Sequence, residues 1–184
     1  MLENPFSLHS FVDTDNRREL YRRIKYRIKN YANSSICHRV NSTQFREYFK
    51  FSFVRNPWDR AYSWYQNVMR DPVQRQRLGE NSEVQFADFL RRRIGKGMLK
   101  RQTYWLKNFA GEVGVDFVGR FEKLNRDFEF VCKTIGLENI NLPHEIKGSH
   151  KQSYTDAYNS QLRELVAEFY AEEINEFGYQ FETG

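Results

Sequence analysis

The chain is 184 residues long, is 40% hydrophobic and 16% aromatic, and carries a formal net charge of +5. This length is sufficient for one domain with a buried core, and the aromatic content excludes an intrinsically disordered chain. The positive charge favours anionic ligands or partners, so phosphate, sulfate, acidic glycans, nucleic acid and anionic lipid all remain open. We therefore predict a single domain over residues 1–184.

Local features of the sequence disfavour several other classes of protein. Cys37 and Cys132 are the only cysteines, which predicts free thiols in a reducing compartment rather than a disulfide framework. No cysteine or histidine pattern has metal-ligand spacing, and no apolar run reaches transmembrane length. The first residues do not resemble a signal peptide. These features predict a cytoplasmic protein that needs no metal.

Apolar periodicity predicts two helices and one strand in the first half of the chain. A helix is expected over 15–31, where apolar residues recur at helical spacing and basic residues fill the other face. The alternating aromatic run over 49–54 predicts a strand, and Pro57 then starts a helix that ends near Arg70. The polar residues 73–82 that follow are expected to form a surface loop.

The second half of the chain is predicted to contain helices around one further short strand. The helices are expected over 83–93, 100–109 and 124–135 and from about Ser160, and the strand over 115–119. Because strands alternate with helices, the predicted fold class is α/β, with a small parallel sheet flanked by helices.

The strongest signal for a ligand site lies where the first predicted strand ends. Arg55 follows this strand at once, and Pro57 then begins a helix. Ligands of open α/β sheets bind at the carboxyl ends of strands, where a helix N-terminus also favours an anion. Ser63 lies two helical turns further on and would face Arg55 only if the chain folds back between strand and helix. The alternative is a surface arginine beside an ordinary helix start, with Ser63 facing solvent.

The same segment closely resembles the 3′-phosphate-binding motif of carbohydrate-type sulfotransferases that use the nucleotide sulfate donor PAPS. The residues that carry the resemblance are Arg55-Asn56-Pro57-Trp58-Asp59-Arg60 with Ser63 and Tyr65. Further similar segments, at 101–106, 115–128 and 170–181, follow in the family's order. The resemblance implies a P-loop-NTPase-like sulfotransferase fold in which Arg55 and Ser63 bind the 3′-phosphate of PAPS and of its product PAP.

The implied activity is transfer of a sulfuryl group from PAPS to an acceptor hydroxyl, such as one on a carbohydrate. This transfer needs a base, and the family often has a histidine in its acceptor region, at a place that corresponds to His38. The family also has a loop that closes over the nucleotide, which implies Ser149 and Lys151 as donor contacts. The alternatives are an exposed loop histidine and a flexible basic loop.

One part of the family pattern is not found in this sequence. The family opens with a strand and a loop of the Pro-Lys-x-Gly/Ala-x-Thr-Ser type, which holds the 5′-phosphosulfate. The first 78 residues contain no glycine, and the hydroxyl-rich runs 33–35 and 41–43 contain no lysine. The first strand and its loop are therefore expected to be missing or degenerate. A non-catalytic relative that binds a nucleotide or an acidic partner is the alternative function.

Two further expectations concern partners. A sheet without its first strand has an unpaired edge, which favours a homodimer or a replacement segment. The positive charge and the basic helix over 17–29 give weak support to nucleic-acid binding. However, no helix-turn-helix, RNP-type or zinc motif is present, so no nucleic-acid partner is expected.

Overall fold

The computed structural model describes most of the chain from the first strand onward. The described residues are 46–107, 111–137, 140, 142 and 153–181. The predicted helix over 15–31 and the hydroxyl-rich runs 33–35 and 41–43 lie outside them. Within the described residues no helix combines the length and the apolar character needed to cross a bilayer.

Contacts group the described residues into two compact units. One contains 46–50, 104–107 and 111–116, and the other contains 51–103 together with the residues from 117 onward. The single domain over 1–184 stays a prediction.

In the first unit, polar contacts join Lys50 to Asp116. The backbone N–H of Lys50 donates to Asp116 Oδ2 at 2.7 Å, and Lys50 Nζ lies 2.8 Å from the same oxygen. The N–H of Asp116 in turn donates to the carbonyl of Lys50 at 2.7 Å. The hydrogen bond from the Lys50 side chain holds the pKa of Asp116 below its usual range.

The described residues form two short strands and several helices. In chain order they are β1 (Phe51–Val54), α1 (Pro57–Arg70), α2 (Pro72–Leu78), α3 (Phe86–Arg93), a 3-10 turn (Gly97–Leu99), α4 (Thr103–Leu106), β2 (Phe117–Arg120), a 3-10 turn (Phe121–Lys123), α5 (Leu124–Thr134), a 3-10 turn (Tyr154–Ala157), α6 (Ser160–Phe169) and α7 (Ala171–Phe177). The predicted α/β class is confirmed.

The two strands form a parallel pair, as predicted. Their register runs from Phe51 opposite Phe117 to Val54 opposite Arg120. Because parallel strands end at the same edge of a sheet, the chain leaves both β1 and β2 there. Arg55 therefore follows β1 at the edge where Phe121 follows β2.

Helix α2 corrects the predicted surface loop over 73–82. The side chain of Asp71 caps this helix by accepting hydrogen bonds from the N–H groups of Val73 and Gln74. Pro72 occupies the first turn, where its missing N–H costs nothing, and Gly79 ends the helix with a left-handed φ of 66°. The Asp71 cap, Pro72 and Gly79 therefore define a helix despite the polar composition of the segment.

The core of the second unit lies between the sheet and the helices. Its buried apolar side chains include Val54, Trp58, Ala61, Val68, Phe89, Leu90, Leu99, Val131, Leu162, Val166 and Tyr170. Val54 ends β1, and the next five of these residues lie on α1 and α3. The core therefore anchors the junction between β1 and α1, where the candidate site lies.

Gly119 lies in β2, where the strand passes close to the ring of Phe53. A Cβ atom at Gly119 would lie 2.5 Å from Phe53 Cε1 and 3.2 Å from the Cβ of Asp127. We expect Gly119→Ala to lower the free energy of unfolding by about 2 kcal/mol, because the ring or the strand must move. Urea denaturation measures this loss.

The matched control for this substitution is Gly79→Ala. Gly79 has a φ of 66°, and apart from its chain neighbours no described residue comes within 4 Å of an added Cβ, so only its left-handed backbone is penalised. This penalty is about 1 kcal/mol. A loss for Gly119→Ala no larger than that of the control would contradict the packing argument.

Candidate functional site

The guanidinium of Arg55 is the centre of the candidate site. Its Nε donates to Asp59 Oδ2 at 2.6 Å, and its Nη1 donates to Ser63 Oγ at 2.9 Å. Its Cζ lies 4.2 Å from the ring centroid of Phe121, which supports the guanidinium from one face. The chain thus folds back between β1 and α1 in the way that an Arg55–Ser63 pair requires.

This arrangement leaves Arg55 able to bind an anion. A guanidinium has five N–H donors, and the contacts to Asp59 and Ser63 use one on Nε and one on Nη1. Nη2 makes no hydrogen bond to any residue that the structure describes. The side chain is 25% exposed, so a ligand in solution can reach the remaining donors.

The first turn of α1 is already capped by Asn56. Asn56 Oδ1 accepts from the N–H of Trp58 at 3.1 Å, and Nδ2 donates to the carbonyl of Gln180 at 2.9 Å. The N–H of Asn56 itself donates to Glu122 Oε1 at 2.6 Å. The helix N-terminus therefore offers an anion fewer free amides than the sequence suggested, and side chains must supply more of the binding.

Gln102 holds the backbone of Arg55 with both ends of its amide. Oε1 accepts from the N–H of Arg55 at 2.8 Å, and Nε2 donates to the carbonyl of Arg55 at 2.9 Å. Nε2 also donates to Glu173 Oε1 at 3.2 Å, and the N–H of Gln102 donates to Glu173 Oε2. Gln102 is only 8% exposed and Glu173 is fully buried, so this network lies behind the site.

Glu173 also faces a positive charge on α1. Arg60 Nη2 lies 3.6 Å from Glu173 Oε1 and donates to the carbonyl of Lys100 at 2.8 Å. Burial raises the pKa of Glu173, whereas Arg60 and the hydrogen bonds from Gln102 oppose that rise. Burial also raises the pKa of Tyr170, whose ring lies under the Arg60 guanidinium, to about 12.

Several residues that hold the site were not assigned to it from the sequence. Asp59 has a local signal, since it is an acid only four residues after Arg55, close enough in the chain to pair with it. Gln102 lies 47 residues from Arg55, and Glu173 lies a further 71 residues along the chain. Only the folded structure brings these two residues behind Arg55.

The other predicted site residues cannot be placed. His38, Ser149 and Lys151 lie outside the described residues. In the described part of the chain, no group of three or more His, Cys, Asp or Glu side chains is placed to hold a metal ion.

The fold and the site define an α/β protein with an arginine–serine pair at the carboxyl edge of a parallel sheet. The chain matches the model of the sulfotransferase family over residues 8–180, which is most of its length. It therefore belongs to the sulfotransferase family. The family resemblance that the segment from Arg55 to Tyr65 suggested is confirmed.

Two curated relatives match parts of the chain. An uncharacterized protein of Archaeoglobus fulgidus is 33% identical over 104 residues, which cover 55% of this chain and 79% of that protein. Carbohydrate sulfotransferase 14 of Danio rerio is 24% identical over 131 residues, which cover 59% of this chain and 34% of that protein. The match thus spans about a third of the Danio rerio protein. No solved structure matches the chain.

Proposed function

We propose that this chain transfers a sulfuryl group from PAPS to an acceptor hydroxyl. The observation that supports this best is the Arg55–Ser63 pair, with Nη1 and Oγ 2.9 Å apart just beyond the carboxyl end of β1. A planar guanidinium beside a hydroxyl suits the oxygens of a phosphate. In this proposal the two side chains bind the 3′-phosphate of PAPS and of PAP.

The proposed reaction is an in-line displacement at sulfur. The acceptor oxygen forms a bond to sulfur while the bond from sulfur to the bridging oxygen of the 5′-phosphosulfate breaks. PAP leaves with that electron pair, and the proton of the acceptor hydroxyl passes to a base, which we propose is His38. Ser149 and Lys151 are proposed as further contacts to the donor.

A carbohydrate hydroxyl is the proposed acceptor. The support is the printed name of the Danio rerio relative, a carbohydrate sulfotransferase. Incubation of the chain with sulfur-labelled PAPS, unsulfated polysaccharides and small alcohols tests both the reaction and the acceptor class. We expect the amount of labelled sulfate in the polysaccharide to equal the amount of PAP released. Label found only in small alcohols would support sulfuryl transfer but reject a carbohydrate as the acceptor.

Ser63→Ala is expected to weaken PAP binding about tenfold, because one hydrogen bond to a charged phosphate is lost. Isothermal titration calorimetry measures this change. Ser82→Ala is the control, since Ser82 is an exposed loop residue and its removal should leave the affinity unchanged. A Ser63→Ala variant that binds PAP as tightly as the parent chain would remove Ser63 from the proposed site.

A second candidate function is nucleotide binding without transfer. The observation that favours it is the lack of a lysine- and glycine-containing phosphosulfate loop in the first 78 residues. Tight PAP binding with no release of label from PAPS, over a range of acceptors, would favour this candidate over the transferase.

A further inference from the structure

The buried network of Gln102 and Glu173 fixes the backbone of Arg55. Gln102 closes two hydrogen bonds on the backbone of Arg55, at 2.8 and 2.9 Å. These bonds fix the backbone of Arg55 where the chain leaves β1, and therefore the position from which its side chain extends. A glutamine amide can bind in two orientations, and only one of them presents an acceptor to the N–H and a donor to the carbonyl.

Glu173 reinforces that orientation, which the N–H and the carbonyl of Arg55 also require. A carboxylate only accepts hydrogen bonds, so the oxygen at 3.2 Å from Gln102 Nε2 requires the amide nitrogen on its side. The other carboxylate oxygen accepts from the backbone N–H of Gln102, which fixes the main chain of the same residue. Both hydrogens of the amide nitrogen are then used, one on Glu173 and one on the carbonyl of Arg55.

We infer that Glu173 is a positioning residue, which acts through Gln102 to hold Arg55 in its phosphate-binding place. This inference rests on the proposed function, because it assigns Glu173 a role at the same site. Glu173 is fully buried, so a ligand in solution does not reach it, and its effect on binding must pass through residues that it contacts. Of these, Gln102 reaches the backbone of Arg55 directly.

The experiment is a double-mutant cycle on PAP affinity, measured by titration calorimetry below the melting temperature of every variant. Glu173→Gln keeps the size of the side chain but places an amide where a carboxylate oxygen is needed. Gln102→Met keeps a similar length and removes both hydrogen bonds to Arg55. Each change is expected to weaken PAP binding about tenfold.

The double variant distinguishes an effect of Glu173 that passes through Gln102 from two independent effects on PAP affinity. If Glu173 acts through Gln102, the combined loss stays near tenfold, because Glu173 has nothing left to position. Independent effects would instead multiply to about 100-fold, and that result would overturn the inference. If Glu173→Gln does not fold, unchanged PAP affinity in Gln102→Met still rejects the inference, because Gln102 is the proposed link between Glu173 and Arg55.

Glu80→Gln is the matched control for the loss of a buried carboxylate. The Glu80 side chain is 1% exposed, and its partners are Arg92 and Arg93 at 2.8 and 2.7 Å, not the backbone of Arg55. This variant should lose thermal stability and keep the parent affinity for PAP. Equal losses of affinity in Glu80→Gln and Glu173→Gln would mean that general destabilisation explains the loss of PAP affinity. That result would reject the inference.

The outcome also separates this inference from the proposed function. A parent chain that does not bind PAP rejects the proposed function, and this inference with it. A parent chain that binds PAP through Arg55, with Glu173→Gln binding equally well, keeps the proposed function and rejects the positioning role alone.

Discussion

Arg55→Ala is expected to weaken PAP binding by about 100-fold or more. Two charge-assisted hydrogen bonds to a phosphate contribute about 3 kcal/mol together, which corresponds to this factor. The substitution also leaves the carboxylate of Asp59 without its partner at 2.6 Å, so that a negative charge near the phosphate is no longer offset. Titration calorimetry with PAP measures the loss.

Arg70→Ala is the matched control for the loss of charge. Arg70 lies in the last turn of α1, is exposed, and donates to Asn67 Oδ1 at 2.9 Å. Arg70→Ala changes the net charge of the chain by the same amount as Arg55→Ala. Its effect on PAP affinity therefore measures long-range electrostatics alone. We expect this control to stay within about twofold of the parent affinity. Similar losses in both variants would mean that Arg55 contributes only its charge.

Arg60→Met is expected to lower the free energy of unfolding by about 3 kcal/mol at neutral pH, the typical cost of breaking a buried ion pair. Its partner Glu173 is fully buried, and its own side chain is 16% exposed. Methionine keeps much of the packing against Tyr170 but leaves the carboxylate without a counter-charge. Urea denaturation measures the change.

The pH dependence of this loss has a definite sign. Burial raises the folded-state pKa of Glu173 above its usual value of 4.5, so the folded chain holds the proton more tightly than the unfolded chain. The stability linked to this group is fully present below the unfolded pKa and is lost as pH rises through the folded pKa. Removal of Arg60 raises the folded pKa further, so the loss should be greater at about pH 8 than at about pH 5.

Arg92→Met is the control for the stability measurement. Arg92 is 53% exposed, and its partner Glu80 keeps a second contact to Arg93 at 2.7 Å. A partly exposed pair contributes about 1 kcal/mol or less, so this change should be small. A loss as large as that of Arg60→Met, or a loss that does not change with pH, would contradict the account of Glu173.

Local signals in the sequence predicted the elements that position the site. The alternating aromatics before Arg55 and the proline at position 57 indicate a strand followed by a helix, and the structure has β1 and α1 at these places. Local signals also explain the error at α2, where the capping side chain of Asp71 and the left-handed Gly79 define a helix that the polar composition concealed.

Residues far apart in the chain were harder to predict. The pairing of Arg55 with Ser63 depends on the fold-back between β1 and α1, which spacing alone leaves open. The contacts of Gln102 with Arg55 and Glu173 join three separate segments through buried polar atoms. No periodicity or composition rule marks such contacts, because a buried glutamate and glutamine are polar residues that patterns assign to the surface.

We propose that the site at the start of α1 binds a 3′-phosphate. The measurement that tests it most directly is titration of the parent chain and of Arg55→Ala with PAP and with adenosine 5′-phosphate, which lacks the 3′-phosphate. The parent chain should bind PAP about 100-fold more tightly than adenosine 5′-phosphate, and Arg55→Ala should bind both with similar weak affinity. Equal affinity of the parent chain for the two nucleotides, or a preference for PAP that survives in Arg55→Ala, would contradict the claim.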